Sequence, residues 1–499
     1  IFEPPDKKKA RWRSIRLMYL TMFLSSVTFT ISMASLWPYL QLVDRSATAD
    51  FLGWVVAAYS IGQLVASPLF GFWANYGKST RWPLVISILI NILANVMYGY
   101  IESFDDHRDY YLLLSRAMVG FGAGNVAVVR SYVAGATNQE ERTPVMANIS
   151  IFQSSGFILG PGFQAALVPL GYPGPVHIAG FHFDLYTAPA FFSAIAGIIN
   201  ILLLLTIFKE TRLDDVSSFS VQENETVELE PDYRPDYFAV ISSITIFFVV
   251  LFIFTVFETI GSPLLMDMYG WSKSQATLYQ GIILVGAGCE AIVVSLFVKA
   301  LAKRFNERKL MLFGFITCLA GYFIFLPWGN VLPVRSVASD SSMLTDSSSP
   351  STPLSTTSGP MYTNTTDNVT TTTVEPQGCP EYYSWCSYTP VIFLSQFLAG
   401  VACIGIGYPV AQIMSYTIYS KILGPKPQAV WMGWLTAAGS AARAIGPVFV
   451  TQIYNSYGPR VTFSACCGIL LATILFICII SKRLVPFSVQ TKLISPVRN

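Results

Sequence analysis

The chain is poor in charge. Only 12% of its 499 residues are Asp, Glu, Lys or Arg, about half the roughly 25% of an ordinary soluble domain. A soluble enzyme of this length is therefore excluded. Histidine is scarce: three residues, His107, His177 and His182, share no ligand spacing with cysteine, so zinc is unsupported. The sequence has no nucleophile triad, no metal cluster and no phosphate-cradling glycine loop. No enzymatic activity, metal or cofactor is expected, and a net charge of +2 points to no nucleic-acid partner. Residues 1–13 are polar and basic, not a cleavable leader.

What is present is apolar. Hydrophobic residues make up 53% of the chain and aromatics 14%. They form twelve runs, each long enough to cross a bilayer as a helix: 15–42, 51–75, 82–102, 110–135, 144–170, 184–208, 237–263, 274–299, 310–330, 388–418, 429–454 and 460–481. An even number puts both termini on one side. With those termini cytosolic, 23 Lys and Arg fall on the cytosolic side and 5 on the other, and Arg116, Arg130 and Arg443 lie inside spans. The positive-inside rule then fixes the orientation. The expected units are a cytosolic tail (1–14), a six-helix half (15–208), a charged cytosolic linker (209–236), a second half (237–481) and a cytosolic tail (482–499).

Residues 331–387 interrupt the second half on the lumenal side. They are Ser/Thr/Pro-rich and carry two glycosylation sequons, at Asn364 and Asn368. The sequons at Asn148 and Asn224 fall at a span start and on the cytosolic side, so they are discounted. Cys379 and Cys386 share this loop, and a disulfide between them requires an oxidising lumen. The other six cysteines lie in apolar runs as thiols.

The halves repeat. An offset of 286 superimposes Ser154, Gly160, Pro161 and Phe163 on Ser440, Gly446, Pro447 and Phe449. A parallel six-plus-six duplication places a solute site at mid-membrane between the halves.

Motifs identify the architecture. Gly71-Phe-Trp-Ala-Asn75-Tyr-Gly77-Lys78, with Arg81 following, resembles the loop signature of the major facilitator superfamily, with Asn75 in place of its acid. Arg116 followed by Gly120, Gly122 and Gly124 resembles that family's fourth-helix motif, and Gly156-Phe-Ile-Leu-Gly160-Pro161 its fifth-helix motif. The resemblance implies an all-α membrane protein of twelve helices in two pseudo-symmetric halves, with Gly71, Asn75, Lys78, Gly156, Gly160, Pro161, Gly446 and Pro447 in packing and gating. Segments such as Gly124–Asn138, Phe257-Glu-Thr-Ile, Leu326-Pro-Trp-Gly-Asn and Ser420-Lys-Ile-Leu-Gly-Pro-Lys-Pro-Gln resemble more closely a lysosomal branch of the superfamily linked to a late-infantile neuronal ceroid lipofuscinosis (Batten disease). That likeness implies a monomeric, multi-pass glycoprotein of the lysosomal membrane.

Charges inside the spans carry the functional expectation, because an ionised group in lipid is costly. In the family fold, spans one, four, seven and ten line the cavity. Arg116, Arg130 and Glu258 are then the solute or coupling candidates, joined by Gln396, Tyr408 and Gln412 of span ten. Glu290 and Arg443 are expected to pair as a structural salt bridge. Two cavity arginines against one glutamate favour an anionic or zwitterionic solute, since guanidinium suits carboxylate and phosphate. Glu258 is the candidate for proton coupling, with a partnership to Arg116 as its structural alternative. Arg130, near the cytosolic end, is alternatively a gate residue. Two other readings stay open: a chloride-type channel through the same cavity, and a non-transporting scaffold or sensor.

Overall fold

The computed structural model describes residues 4–33, 35–44, 49–104, 106–178, 181–210, 236–335, 378–380, 383–424 and 428–487. Helices dominate. Span one is Pro5–Ile31 continued by Leu36–Val43; spans two and three are Ala49–Tyr76 and Arg81–Gly99. Span four is Arg108–Gly122 continued by Asn125–Gly135, span five Gln139–Leu167 and span six Ala188–Thr206. Spans seven to ten are Tyr237–Tyr269, Lys273–Leu301, Glu307–Ile324 and Leu394–Leu423. Spans eleven and twelve form one continuous element, Ala429–Ile480, broken where Gly458 takes a φ of 77° ahead of Pro459. A left-handed residue followed by a proline cannot continue a helix, so the chain turns there. Span seven runs six residues beyond the expected 263, because Pro263 is accommodated within it and Gly270 ends it. Asn364, Asn368 and most of the linker lie outside the described residues.

Local chemistry sets the helix ends. Asp236 Oδ1 accepts from the backbone N–H groups of Phe238 (3.0 Å) and Ala239 (3.3 Å) and starts span seven. Ser272 and Gln275 form a reciprocal capping box at span eight. Between spans five and six, β1 (Val176–Ile178) and β2 (Phe181–Phe183) form a small antiparallel hairpin in which His177 faces His182 in register.

The element ends near Arg11, Ala136, Arg142, Lys209, Glu307, Ser420 and Ser481 share one side, here the terminal face; the hairpin and residues 378–380 and 383–390 lie on the far face. The two halves cross where span two packs on span eleven and span five on span eight. The internal repeat survives in the packing. Gly160 of span five sits against Thr30 of span one, and its counterpart Gly446 of span eleven sits against Thr255 of span seven. Small residues at these points let helix backbones approach closely.

The loop signature carries Asn75 where the family motif has its acid. Lys78 is exposed with a φ of 48°. Glu210, just after span six, accepts from both the backbone N–H and the hydroxyl of Thr80 at 2.7 Å and so supplies an acid at the start of span three. Arg81 donates to the carbonyl of Phe208. On the far face Cys379 and Cys386 are disulfide-bonded, with Cα atoms 6.1 Å apart.

Candidate functional site

Span four carries the site. Its middle is tightened rather than cleanly helical: Gly124 N–H bonds to the carbonyl of Phe121 (3.1 Å) and Val126 N–H to that of Ala123 (3.3 Å). These i→i+3 bonds are a short stretch of 3₁₀ geometry, which often marks functional positions in long helices. Gly120 and Gly124 press against the backbones of Tyr59 and Ala66 in span two. No side chain fits there.

Arg116 lies one to two turns on the far-face side of this turn and is 2% exposed. Its guanidinium donates to the Met33 sulfur (3.0 Å) and stands 5.9 Å from the Tyr59 ring centroid. Its Nε has no partner. No carboxylate pairs with it among the described residues, so Glu258 is not its partner. Arg130 is 1% exposed. It donates to Gln153 Oε1 (2.7 Å), and its Nε and Nη1 are buried without partners. Its guanidinium carbon sits 3.7 Å over the ring of Tyr416, which belongs to span ten in the opposite half.

The expected Glu290–Arg443 pair does not form. Glu290 points at span ten, its Oε2 beside Gly405. The charge that acts on Glu258 is that of Arg443, which also acts on Tyr408. Arg443 thus acts on Glu258 of span seven and Tyr408 of span ten, whereas Glu290 meets span ten at Gly405. Glu258 has accessible surface although it sits on an inner span.

These groups are linked electrostatically. Tyr59 is within electrostatic reach of both Arg116 and Arg443. Tyr408 is within reach of Arg443 and of Arg130, and accepts a hydrogen bond from Gln412 Nε2 (3.1 Å). Arginines and tyrosines thus alternate from Arg116 through Tyr59, Arg443 and Tyr408 to Arg130. The two halves together contribute three guanidinium groups to the row, and its one carboxylate, Glu258, is electrostatically coupled to Arg443. Such a row can hold an anion by charge-assisted hydrogen bonds.

Gln396 does not join it. Its amide donates to the carbonyls of Ile324 and Leu326 (2.6 Å for the latter), which end span nine, so its role is structural. Two residues went unnoticed in the sequence. Tyr59 looks like any aromatic in an apolar helix, and only its packing under Gly120 gives it away. Asp267 accepts from the Tyr454 hydroxyl at 2.8 Å, both side chains buried; the run Leu264–Met268 continuing past Pro263 was the available signal.

Toward the terminal face the halves are closed. Arg142 Nη1 donates to the carbonyl of Ser420 (3.2 Å), Thr143 Oγ1 to Glu307 Oε1 (2.8 Å), and Lys421 pairs with the same Glu307 oxygen (2.5 Å). Deeper in, the Ser440 hydroxyl donates to Gln63 Oε1 (2.9 Å). Gly71 abuts the carbonyl of Ala429, and Gly433 that of Ser67.

Comparison with known proteins fits this architecture. Residues 18–371 match the Major Facilitator Superfamily. The chain is 51% identical over 497 residues to Major facilitator superfamily domain-containing protein 8 of Xenopus laevis, covering 98% of this chain and 95% of that protein. It is 26% identical to Multidrug resistance protein 2 of Bacillus subtilis over 53% of this chain and 61% of that protein. Among solved structures, the human organic anion transporter MFSD10 (TETRAN) superimposes with a TM-score of 0.64 at 16% identity, over 95% of this chain and 100% of that one. The transporter FucP in its outward conformation superimposes with a TM-score of 0.61 at 11% identity, over 93% and 98% respectively.

Proposed function

The chain belongs to the major facilitator superfamily of membrane transporters, and from that premise we propose that it carries a small anionic or zwitterionic solute across the lysosomal membrane. Both termini face the cytosol, so the closed terminal face is the cytosolic gate and the far face is lumenal. The halves rock about the arginine–tyrosine row to expose it to each side in turn. The observation that carries this reading is the charge imbalance at the row: Arg116, Arg443 and Arg130 against Glu258 alone. A buried guanidinium without a carboxylate leaves its donors unpaired, and an anionic solute is what completes them.

Arg116 and Arg443 hold the solute near mid-membrane. Tyr59, Tyr408 and Gln412 supply neutral hydrogen-bonding and aromatic surface around it. Arg130, stacked on Tyr416, closes the cytosolic end. Glu258 has accessible surface on an inner span and feels the charge of Arg443, which suits it to exchange a proton when the solute leaves. Glycans on Asn364 and Asn368 and a monomeric state complete the reading.

The test uses protein reconstituted in vesicles, with chloride and a small dicarboxylate as probes. Arg116→Gln lowers anion flux at least tenfold while the melting temperature holds; unchanged flux refutes the role of the row. Saturating flux with counterflow marks a carrier, and large current without counterflow marks a channel. Loss of pH-gradient dependence in Glu258→Gln identifies the coupling group.

A further inference from the structure

Gln63 occupies a position that neither the loop signature nor the arginine–tyrosine row accounts for. It lies near the middle of span two, about 20 Å from that helix's terminal-face end at Tyr76, and is 7% exposed. Both ends of its amide are used, in different directions. Nε2 donates to the carbonyl of Ala123 (3.2 Å), at the tightened turn of span four. Oε1 accepts from the Ser440 hydroxyl (2.9 Å) on span eleven, in the other half. Ser440 is 2% exposed, so water does not compete. One side chain thus joins the seam between the halves to the tightened turn of span four, about two turns from Arg116.

The two ends of the Ser440–Gln63 bond are not equivalent. The Ser440 hydroxyl also lies 3.1 Å from the carbonyl of Thr436 in its own helix. When the halves part, it falls back on that carbonyl and loses little. Gln63 Oε1 has no such reserve, and a buried amide oxygen left without a donor is costly. At the symmetry-related crossing, span five on span eight, Gly288 meets the apolar side chain of Ile158.

We propose that Gln63 is a positioning residue that couples closure of the terminal face to the geometry of span four. With the face closed, Ser440 holds the amide oxygen, the amide nitrogen holds the Ala123 carbonyl, and the turn below Arg116 stays tightened. With the face open, the amide turns away and the turn relaxes, which shifts Arg116 relative to Tyr59 and Met33. This rests on the alternating-access reading above.

The experiment measures the distribution of distances between spin labels at Lys9 and Lys303, exposed terminal-face positions on opposite halves, with full-length protein in nanodiscs and Cys289 and Cys478 replaced by serine. Ser440→Ala and Gln63→Leu each raise the open-to-closed ratio about fivefold, as expected for one neutral hydrogen bond. The double variant goes little further than Gln63→Leu, because both remove the same bond. Ser440→Thr, which keeps the hydroxyl, restores the wild-type ratio, and melting temperatures stay within a few degrees. Arg142→Ala, which cuts a different contact of the closed face, is the control. If Arg142→Ala shifts the distribution and neither Gln63→Leu nor Ser440→Ala does, the coupling role of Gln63 is wrong. If wild type and Arg142→Ala give the same single distribution, rocking itself is refuted and this inference falls with it.

Discussion

The contact between Arg130 and Tyr416 is the sharpest place to probe the gate. The guanidinium carbon lies 3.7 Å from the ring centroid, and the two side chains are 1% and 4% exposed. A desolvated cation–π contact is worth about 2 kcal/mol. Little else offsets its loss, since Nε and Nη1 of Arg130 already lack partners. Tyr416→Leu keeps an apolar side chain of moderate size but removes the π face. The closed terminal face then loses about 2 kcal/mol, and the open-to-closed ratio rises roughly 30-fold. The label pair at Lys9 and Lys303 reads this directly as growth of a longer-distance population. Tyr416→Phe retains the ring and should stay close to wild type. The reasoning fails if Leu and Phe behave alike, because the phenol oxygen or simple bulk would then hold the gate. It fails equally if neither substitution moves the distribution.

Two more expectations follow from the packing and from the far face. A Cβ on Gly71 would sit 2.3 Å from the carbonyl oxygen of Ala429, so Gly71→Ala must push spans two and eleven apart; the label distances lengthen in a protein that still folds, and an unaltered distribution would show that the seam yields elsewhere. Glu102 lies beyond the end of span three, where burial raises its pKa, helped by the negative charge of Asp184. An acid whose pKa is raised by folding favours the fold when protonated, so wild-type stability declines as pH climbs from the unfolded value of about 4.3 through the raised folded one. Melting curves across that window should be flatter for Glu102→Gln; equal slopes would mean that Glu102 feels no such penalty.

Most of the fold was legible because it is written in local terms. Span lengths, the charge asymmetry of the loops and the repeat at offset 286 are read over a few dozen residues at a time, and the twelve-span architecture follows from them. Arg116, Arg130 and Glu258 stood out for the same reason: each is an ion in an apolar run. Partnership was a different matter. Arg443 faces Glu258, 185 positions away in sequence, and Glu290 does not meet it; which face of a helix looks inward depends on rotations of a few tens of degrees that an evenly apolar span does not encode. Gln396 departs from expectation on the same ground. Its composition suits a cavity, yet it is consumed by two carbonyls at the end of span nine. Gln63 and Tyr59 were invisible because their roles arise from glycines and a serine on other spans.

The bend at Gly458 has a consequence for how the molecule moves. The indole of Trp385 fills the space that a side chain on Gly458 would occupy, with Cγ 2.6 Å from where its Cβ would be. The same ring meets Tyr454 edge-on at 5.4 Å, and the Tyr383 hydroxyl donates to Asn455 Oδ1 at 2.9 Å. Tyr454 in turn holds Asp267 at the end of span seven. A disulfide-closed segment is thus wedged into the corner between spans eleven and twelve and, through one phenol, clamps span seven as well. That corner behaves as a keystone: three helix ends on the far face travel together. Motion that widens or narrows the far-face entrance therefore carries the ends of spans seven, eleven and twelve as one block.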